Sequence, residues 1–251
     1  MFCFVGRDFW ELRQGKLFKN GYEQLDFPTV VRMTSCGDNF VFYSHDHHPH
    51  MVTPHGIFPI EYSITHITNA GILSTRRGYI IPTLLYPWDG GYPPIPLGGC
   101  LFASDTYAYL SHQPPRRVNW ITEEESKGYK HAEDITCSGN GWLIIDNKLL
   151  IDEETSRFLR VLSPDGLYSI QHGVIVCATG WEPKPRWQDG VLVTFNGHVS
   201  KTGRLADRDE TGKITFYTVR FPALILAQQL PLPRDACREV LKCLVLSATS
   251  I

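Results

Sequence analysis

No run of this sequence stays apolar for the roughly 20 residues that a membrane-spanning helix requires. The opening residues, Met1 to Asp8, carry neither the charged start nor the long apolar core of a secretory signal. No two of the seven cysteines stand in C-x-x-C spacing, which excludes a zinc knuckle or dithiol redox motif of that kind. Cys3, Cys36, Cys100, Cys137, Cys177, Cys237 and Cys243 are scattered, mostly within apolar runs, as expected of reduced, buried thiols in the cytoplasm. Neither sign of charge is in excess. With 24 basic and 26 acidic side chains the net charge is −2, so bulk charge offers no grip on nucleic acid or an anionic membrane. A G-x-S-x-G elbow is missing, and the glycine pairs at 90–91 and 98–99 are separated by prolines with no Lys-Ser/Thr after them. These absences exclude the usual serine-hydrolase and phosphate-loop signatures.

What is present is the composition of a β protein. Hydrophobic residues make up 43% of 251 positions, enough for a sizeable core, and 12% aromatics accompany 21 glycines and 17 prolines. Short apolar or alternating runs recur between turn signals. Phe9-Trp10-Glu11-Leu12 and Lys16-Leu17-Phe18 flank Gln14-Gly15 as a hairpin. Phe40–Tyr43 follows Cys36-Gly37-Asp38-Asn39, and Thr106–Leu110 follows Ala103-Ser104-Asp105. Trp142–Ile145 follows Ser138-Gly139-Asn140-Gly141, then turns through Asp146-Asn147-Lys148 into Leu149-Leu150-Ile151.

These units repeat. Thr34–Phe40 is similar to Thr136–Trp142. Pro54-His55-Gly56 with Tyr62-Ser63-Ile64 is similar to Pro164-Asp165-Gly166 with Tyr168-Ser169-Ile170, and Trp88-Asp89-Gly90-Gly91 to Trp187-Gln188-Asp189-Gly190. The three pairs keep one order at an offset of roughly 100 to 110 residues. Strand-and-turn starts near Phe4, Cys36, Thr68, Leu101, Cys137 and Ile170 give a finer period of about 32 to 36 residues, room for three or four short strands. One small sheet cannot bury both of its faces, but neighbours stacked around an axis cover each other. In this the chain resembles the β-propellers. The resemblance implies an all-β, propeller-like array of short antiparallel sheets over residues 1–251, as one domain. Regular Trp-Asp blade signatures are absent, and paired Greek-key β-sandwiches would give similar short strands.

Two segments interrupt the pattern: 82–99, rich in proline and glycine, reads as a long loop, and Glu123–Gly128 as a charged tip. Within 233–251 the sequence supports either a helix capped by Asp235 or a closing strand near Cys243 to Ser247. In propellers of this look, a terminal strand often completes the sheet begun by the other terminus, and Phe2 to Val5 would be its neighbour.

The densest candidate chemistry is Ser44-His45-Asp46-His47-His48-Pro49-His50, followed by His55 and His66. On a strand, His45 and His47 share a face, as two imidazoles on one divalent metal would, with His48 and His50 as further ligands. The run is similar to the H-x-H-x-D-H element of metallo-β-lactamases. However, Asp46 falls between the first two histidines and the trailing Asp-His pair is missing, so that activity is not carried over. The alternative is a solvated polar loop. Trp88, Tyr92, Trp181 and Trp187, set among prolines and glycines, are candidates for gripping a protein or a glycan. Arg76-Arg77 beside Tyr79 and Arg116-Arg117 beside Trp120 are the only pointers to nucleic acid. Among Asp105, Glu123, Glu124, Asp134, Asp152, Glu153 and Glu154, nothing selects a catalytic pair.

These readings lead to an expectation of a non-enzymatic interaction or structural module with no cofactor. Its partners would be other protein subunits, in a homo-oligomeric ring or a larger assembly. The resemblance extends to the small propellers of tailed-phage tail nozzles, which implies a virion or tail setting. The alternatives are a metal-dependent hydrolase built on the histidine segment and a glycan-binding module.

Overall fold

The computed structural model describes the chain except at 28, 37–38, 46–47, 61–62, 69, 76–83, 89–94, 97–98, 112–114, 121, 130–131, 163–164, 220–246 and 250–251. The turns come first, because they set the registers. Asn140 and Gly141 have φ of 52° and 75°, the left-handed pair that a two-residue type I′ turn demands, and Asn-Gly meets it at little cost. Their hairpin pairs Gly139 with Trp142 and Ser138 with Leu143. Gln14-Gly15, Asn20-Gly21 and His172-Gly173 repeat the geometry, and Asp146-Asn147 carries the same pair of positive φ angles in a three-residue connection.

The described residues form seven four-stranded sheets. The first holds β1 (Phe2–Val5), β2 (Asp8–Arg13), β3 (Lys16–Lys19) and β4 (Tyr22–Glu23). The second holds β5 (Val30–Cys36), β6 (Asn39–Ser44), β7 (Pro49–Thr53) and β8 (Gly56–Pro59). The third holds β9 (Ser63–Ile67), β10 (Gly71–Thr75), β11 (Leu84–Pro87) and β12 (Ile95–Pro96). The fourth holds β13 (Cys100–Ala103), β14 (Tyr107–Leu110), β15 (Arg116–Asn119) and β16 (Glu125–Lys127). The fifth holds β17 (Ile135–Gly139), β18 (Trp142–Ile145), β19 (Leu149–Asp152) and β20 (Phe158–Val161). The sixth holds β21 (Leu167–Gln171), β22 (Val174–Ala178), β23 (Arg186–Gln188) and β24 (Val191–Thr194), and the seventh β25 (Gly197–Val199), β26 (Arg204–Arg208), β27 (Ile214–Thr218) and β28 (Ser247–Thr249).

The core is a circle of seven inter-sheet clusters, one for each neighbouring pair. Strand alternation explains it. Along β22, Ile175 and Cys177 face the fifth sheet while Val174 and Val176 face the seventh. Ile144 likewise points to the sixth sheet, and Leu143 and Ile145 to the fourth. A strand buried on both faces reads as an unbroken apolar run, which is why Trp142–Ile145 and Val174–Cys177 show no polar alternation. Phe2 and Phe4 on β1 pack with Ala206 on β26, joined by Phe9, Ile214 and Phe216, and close the circle. The fold is a β-propeller rather than paired Greek-key sandwiches.

Several expectations are corrected. Among the described residues the ends share no sheet: β1 pairs with β2, and β28 with β27. Side-chain packing therefore closes the circle between the described strands, together with a hydrogen bond from Phe4 N to His198 Nδ1 at 3.4 Å. The segment 82–99 is not a loop throughout, since β11 and β12 lie within it, and Glu125–Lys127 of the charged tip is an outer strand. The helix expected from Asp235 falls outside the described residues. The sixth sheet departs from a simple meander. Its order is β21-β22-β24-β23, with β22 and β24 parallel, so the chain runs to the outer edge before returning beside β22.

Candidate functional site

Two places present side chains to a ligand or partner: the axis and the rim of the fifth and sixth sheets. Around the axis, the first strands of five sheets contribute to one cavity of about 440 Å³. Arg32, Thr34 and Ser35 come from β5, His66 from β9, Thr136 and Cys137 from β17, Ser169 and Gln171 from β21, and His198 from β25. Tyr43 on β6 completes the wall beside Arg32, its direct cross-strand partner. Among the described residues no aspartate or glutamate lines this cavity. Several lining groups are fixed from behind. Gln171 Oε1 accepts Val199 N at 2.6 Å, and its Nε2 donates to Ser169 Oγ at 2.7 Å. Thr136 Oγ1 donates to Ile144 O at 3.0 Å. His198 Nδ1 accepts Phe4 N, which puts the ring proton on Nε2.

On the rim, Trp181 is 62% exposed, Leu167 74% and Val161 52%. Leu167 opens β21 opposite Ala178, just before the turn that carries Trp181. That turn is tied down by Thr179: its Oγ1 donates to Thr194 O at 3.1 Å and accepts from Trp181 N and Glu182 N at 3.3 and 3.1 Å. Arg186 Nε adds a 2.8 Å bond to Glu182. Trp181 is therefore displayed on an ordered base. Phe158 and Leu159 extend the apolar surface along β20, where Leu159 is the extra residue of a bulge.

The other expected contacts fare differently. Trp88 is a core side chain, 7% exposed, packed between the second and third sheets, with Nε1 donating to Thr68 O at 2.8 Å. It is not a surface anchor. Trp187 is half-buried against the cluster joining the sixth and seventh sheets. Tyr92 lies outside the described residues, as do Asp46 and His47. His45 and His48 are exposed. His50 stacks on Phe42 at 4.9 Å and meets Phe27 edge-on at 5.2 Å, with Nδ1 3.1 Å from His48 O. Among the described residues no group of three His, Cys, Asp or Glu is placed to hold a metal.

One cluster escaped the sequence reading. Between the fourth and fifth sheets, Tyr109 donates to Glu153 Oε1 at 2.8 Å and Tyr107 to Glu154 Oε2 at 2.7 Å. Arg117 donates to the carbonyls of Glu153 and Glu154 and lies 4.1 Å over the Tyr107 ring. Burial pushes the Glu153 carboxyl above the usual range, and bonds from Ser104 and Tyr109 partly oppose it, while nearby Asp105 adds to the rise and Arg117 opposes it. At 4% exposure this carboxyl joins sheets and offers nothing to a solute. Arg117 is thus occupied inside the protein, and Arg116 pairs with Glu125 at 3.2 Å, so this arginine pair is not a free cationic patch.

Cys3, Cys100, Cys137 and Cys177 are thiols rather than disulfides, and burial pushes Cys100 up to about 12. Among the described residues no helix is long and apolar enough to cross a membrane. No protein-family model matches the chain, and no curated protein matches it either.

Proposed function

We propose that this protein is a non-enzymatic interaction module whose rim, at the fifth and sixth sheets, seats other protein subunits in a larger assembly. The observation that carries the reading is Trp181, exposed on a turn held by Thr179, with Leu167 and Val161 beside the same end of the sheets. A large aromatic fixed in place before contact loses little freedom on binding, and such residues dominate interface energetics. A propeller suits this role because its sheets satisfy one another and leave rim and turns free for contact. The resemblance to tailed-phage tail-nozzle propellers supports a ring-shaped setting in a virion or tail, with copies of this chain as the first partner to test. Sedimentation velocity across a wide concentration range is the test. Reversible association is expected, shifted towards monomer by Trp181→Ala and Leu167→Ser. A chain that stays monomeric throughout rules out the homo-oligomeric ring, and Trp181-dependent binding on a glycan array would then favour a glycan-binding module.

A further inference from the structure

Most arginines with a resolved role in this structure are engaged by the protein itself. Arg117 holds two carbonyls, Arg116 and Arg186 hold carboxylates, and Arg204 lies over Phe4 and Phe216. Arg32 differs. It is exposed on the innermost strand of the second sheet, lines the axial cavity, and its side chain makes no hydrogen bond or ion pair with any described residue. Its cross-strand partner Tyr43 sets a phenol beside the guanidinium, and His66 adds an imidazole from the third sheet. Ser169 already accepts from Gln171, so its own proton is available to donate. With no carboxylate among the described lining residues, the wall presents the guanidinium of Arg32, the imidazole of His66 and several hydroxyl groups.

A guanidinium fork beside hydroxyl donors matches an oxyanion, carboxylate or phosphate, and the remaining hydroxyls match a polar, hydroxylated body. A volume near 440 Å³ lies in the range of small-molecule sites and is far more than a bare inorganic ion fills. We propose that the axial cavity binds a small hydroxylated organic oxyanion, a phosphate monoester or a carboxylate, with Arg32 as its charge partner and Tyr43, His66 and Ser169 as flanking donors. This site is separate from the rim, and its fate does not depend on whether the rim seats a protein.

Isothermal titration calorimetry with a hexose monophosphate, citrate, inorganic phosphate and a neutral hexose tests the proposal. Binding of the hexose monophosphate or citrate is expected to weaken as salt is added, with the neutral hexose silent and inorganic phosphate weaker than the better organic anion. Which organic anion binds tells phosphate from carboxylate recognition. Arg32→Gln should lower that affinity by about tenfold or more, and Arg32→Lys should recover only part of it, because the ammonium has no fork. The Arg32 side chain bonds to no described residue, so its variants should melt with the parent. If one does not, Tyr43→Phe and His66→Gln supply the same readout. Silence from both organic anions, equal binding of the neutral hexose, or affinity indifferent to Arg32, Tyr43 and His66 overturns the proposal.

Discussion

Glu153 shows how one buried residue can join two sheets and tie stability to pH. Its carboxyl is covered, and burial is the largest of the influences that raise its pKa. A group that holds its proton more tightly folded than unfolded makes the native state the better proton binder. Its stabilising effect is therefore complete below the ordinary glutamate value and is lost as pH rises through the raised folded value. Asp207, also raised mainly by burial, acts with the same sign. Urea midpoints for Glu153→Gln should fall less between mildly acidic and neutral pH than those of the parent, with the Asp207 share remaining. An unchanged pH slope would count against the argument. Tyr109→Phe takes the donor from Glu153 Oε1 and should cost about 1–3 kcal/mol in the same titration, more at neutral than at acidic pH.

The same scale separates His50 from the other histidines. Stacked on Phe42 and edge-on to Phe27, it is a packing residue whether or not a metal binds nearby. Elemental analysis of untagged protein, repeated after adding zinc, tests the divalent-metal expectation directly. About one equivalent that is lost on both His45→Ala and His47→Ala would establish the metal reading.

At the scale of elements, Asn147 combines local and long-range demands. It sits at φ 52° in the turn joining β18 and β19. Its side chain reaches the next sheet, donating to Gly166 O at 2.5 Å and accepting from Tyr168 N at 2.8 Å. Asn147→Gly removes the bonds but tolerates the backbone, whereas Asn147→Ala meets both penalties. The glycine variant should lose about 1–2 kcal/mol and the alanine variant about 1 kcal/mol more, read as urea midpoints. Equal losses would show that the backbone conformation costs nothing here. Gly166, at the far end of one bond, is there for space: a Cβ would lie 2.5 Å from Cys177 Sγ and 2.7 Å from Ala178 O.

Elements of this kind were legible where turn chemistry and apolar runs agreed. The hairpin around Gln14-Gly15, the turns at 140–141 and 146–147, and β6, β14, β18 and β19 follow the sequence reading. The starts inferred near Phe4, Cys36, Thr68, Leu101, Cys137 and Ile170 fall in or beside the first strands of six sheets. The offset of about 100 residues is three such units, so Thr34–Phe40 and Thr136–Trp142 both run from the first strand to the second, in the second and fifth sheets. The seventh first strand, Gly197–Val199, was missed because only Val199 of its three residues is apolar, so no apolar run marks it. The axial site was invisible for a different reason. Arg32, Tyr43 and Ser169 carry no motif, His66 stood out only as a neighbour of the histidine run, and only closure of the circle brings the four together. Trp88 misled in the opposite direction: a Trp among prolines and glycines looks exposed, but its ring fills the gap between two sheets.

Closure of the whole molecule rests on a small number of aromatic contacts. With no strand shared between the ends among the described residues, the seam between the first and seventh sheets depends on Phe2, Phe4 and Ala206, with Phe9 and Phe216 packed around them. Phe4 meets Phe9 at 5.4 Å and Phe216 at 6.3 Å, both edge-on, and its backbone N–H donates to His198 on the facing strand. Emptying this position removes packing from both sides of the one junction that the chain does not cross. Phe4→Ala should therefore cost about 3–5 kcal/mol, and the loss should be local in its first effects. Native-state hydrogen exchange should show β1, β2, β25 and β26 losing protection before β14, β18 and β22, because an opened seam exposes the end sheets while the inner sheets remain covered on both faces. Leu143→Ala, in the junction between the fourth and fifth sheets, is the matched control. The chain continues across that junction, so a comparable loss of packing there should not single out the end sheets. If both variants lower protection around the whole circle together, the seven sheets unfold as one unit, and closure by packing alone is as strong as the links the backbone provides.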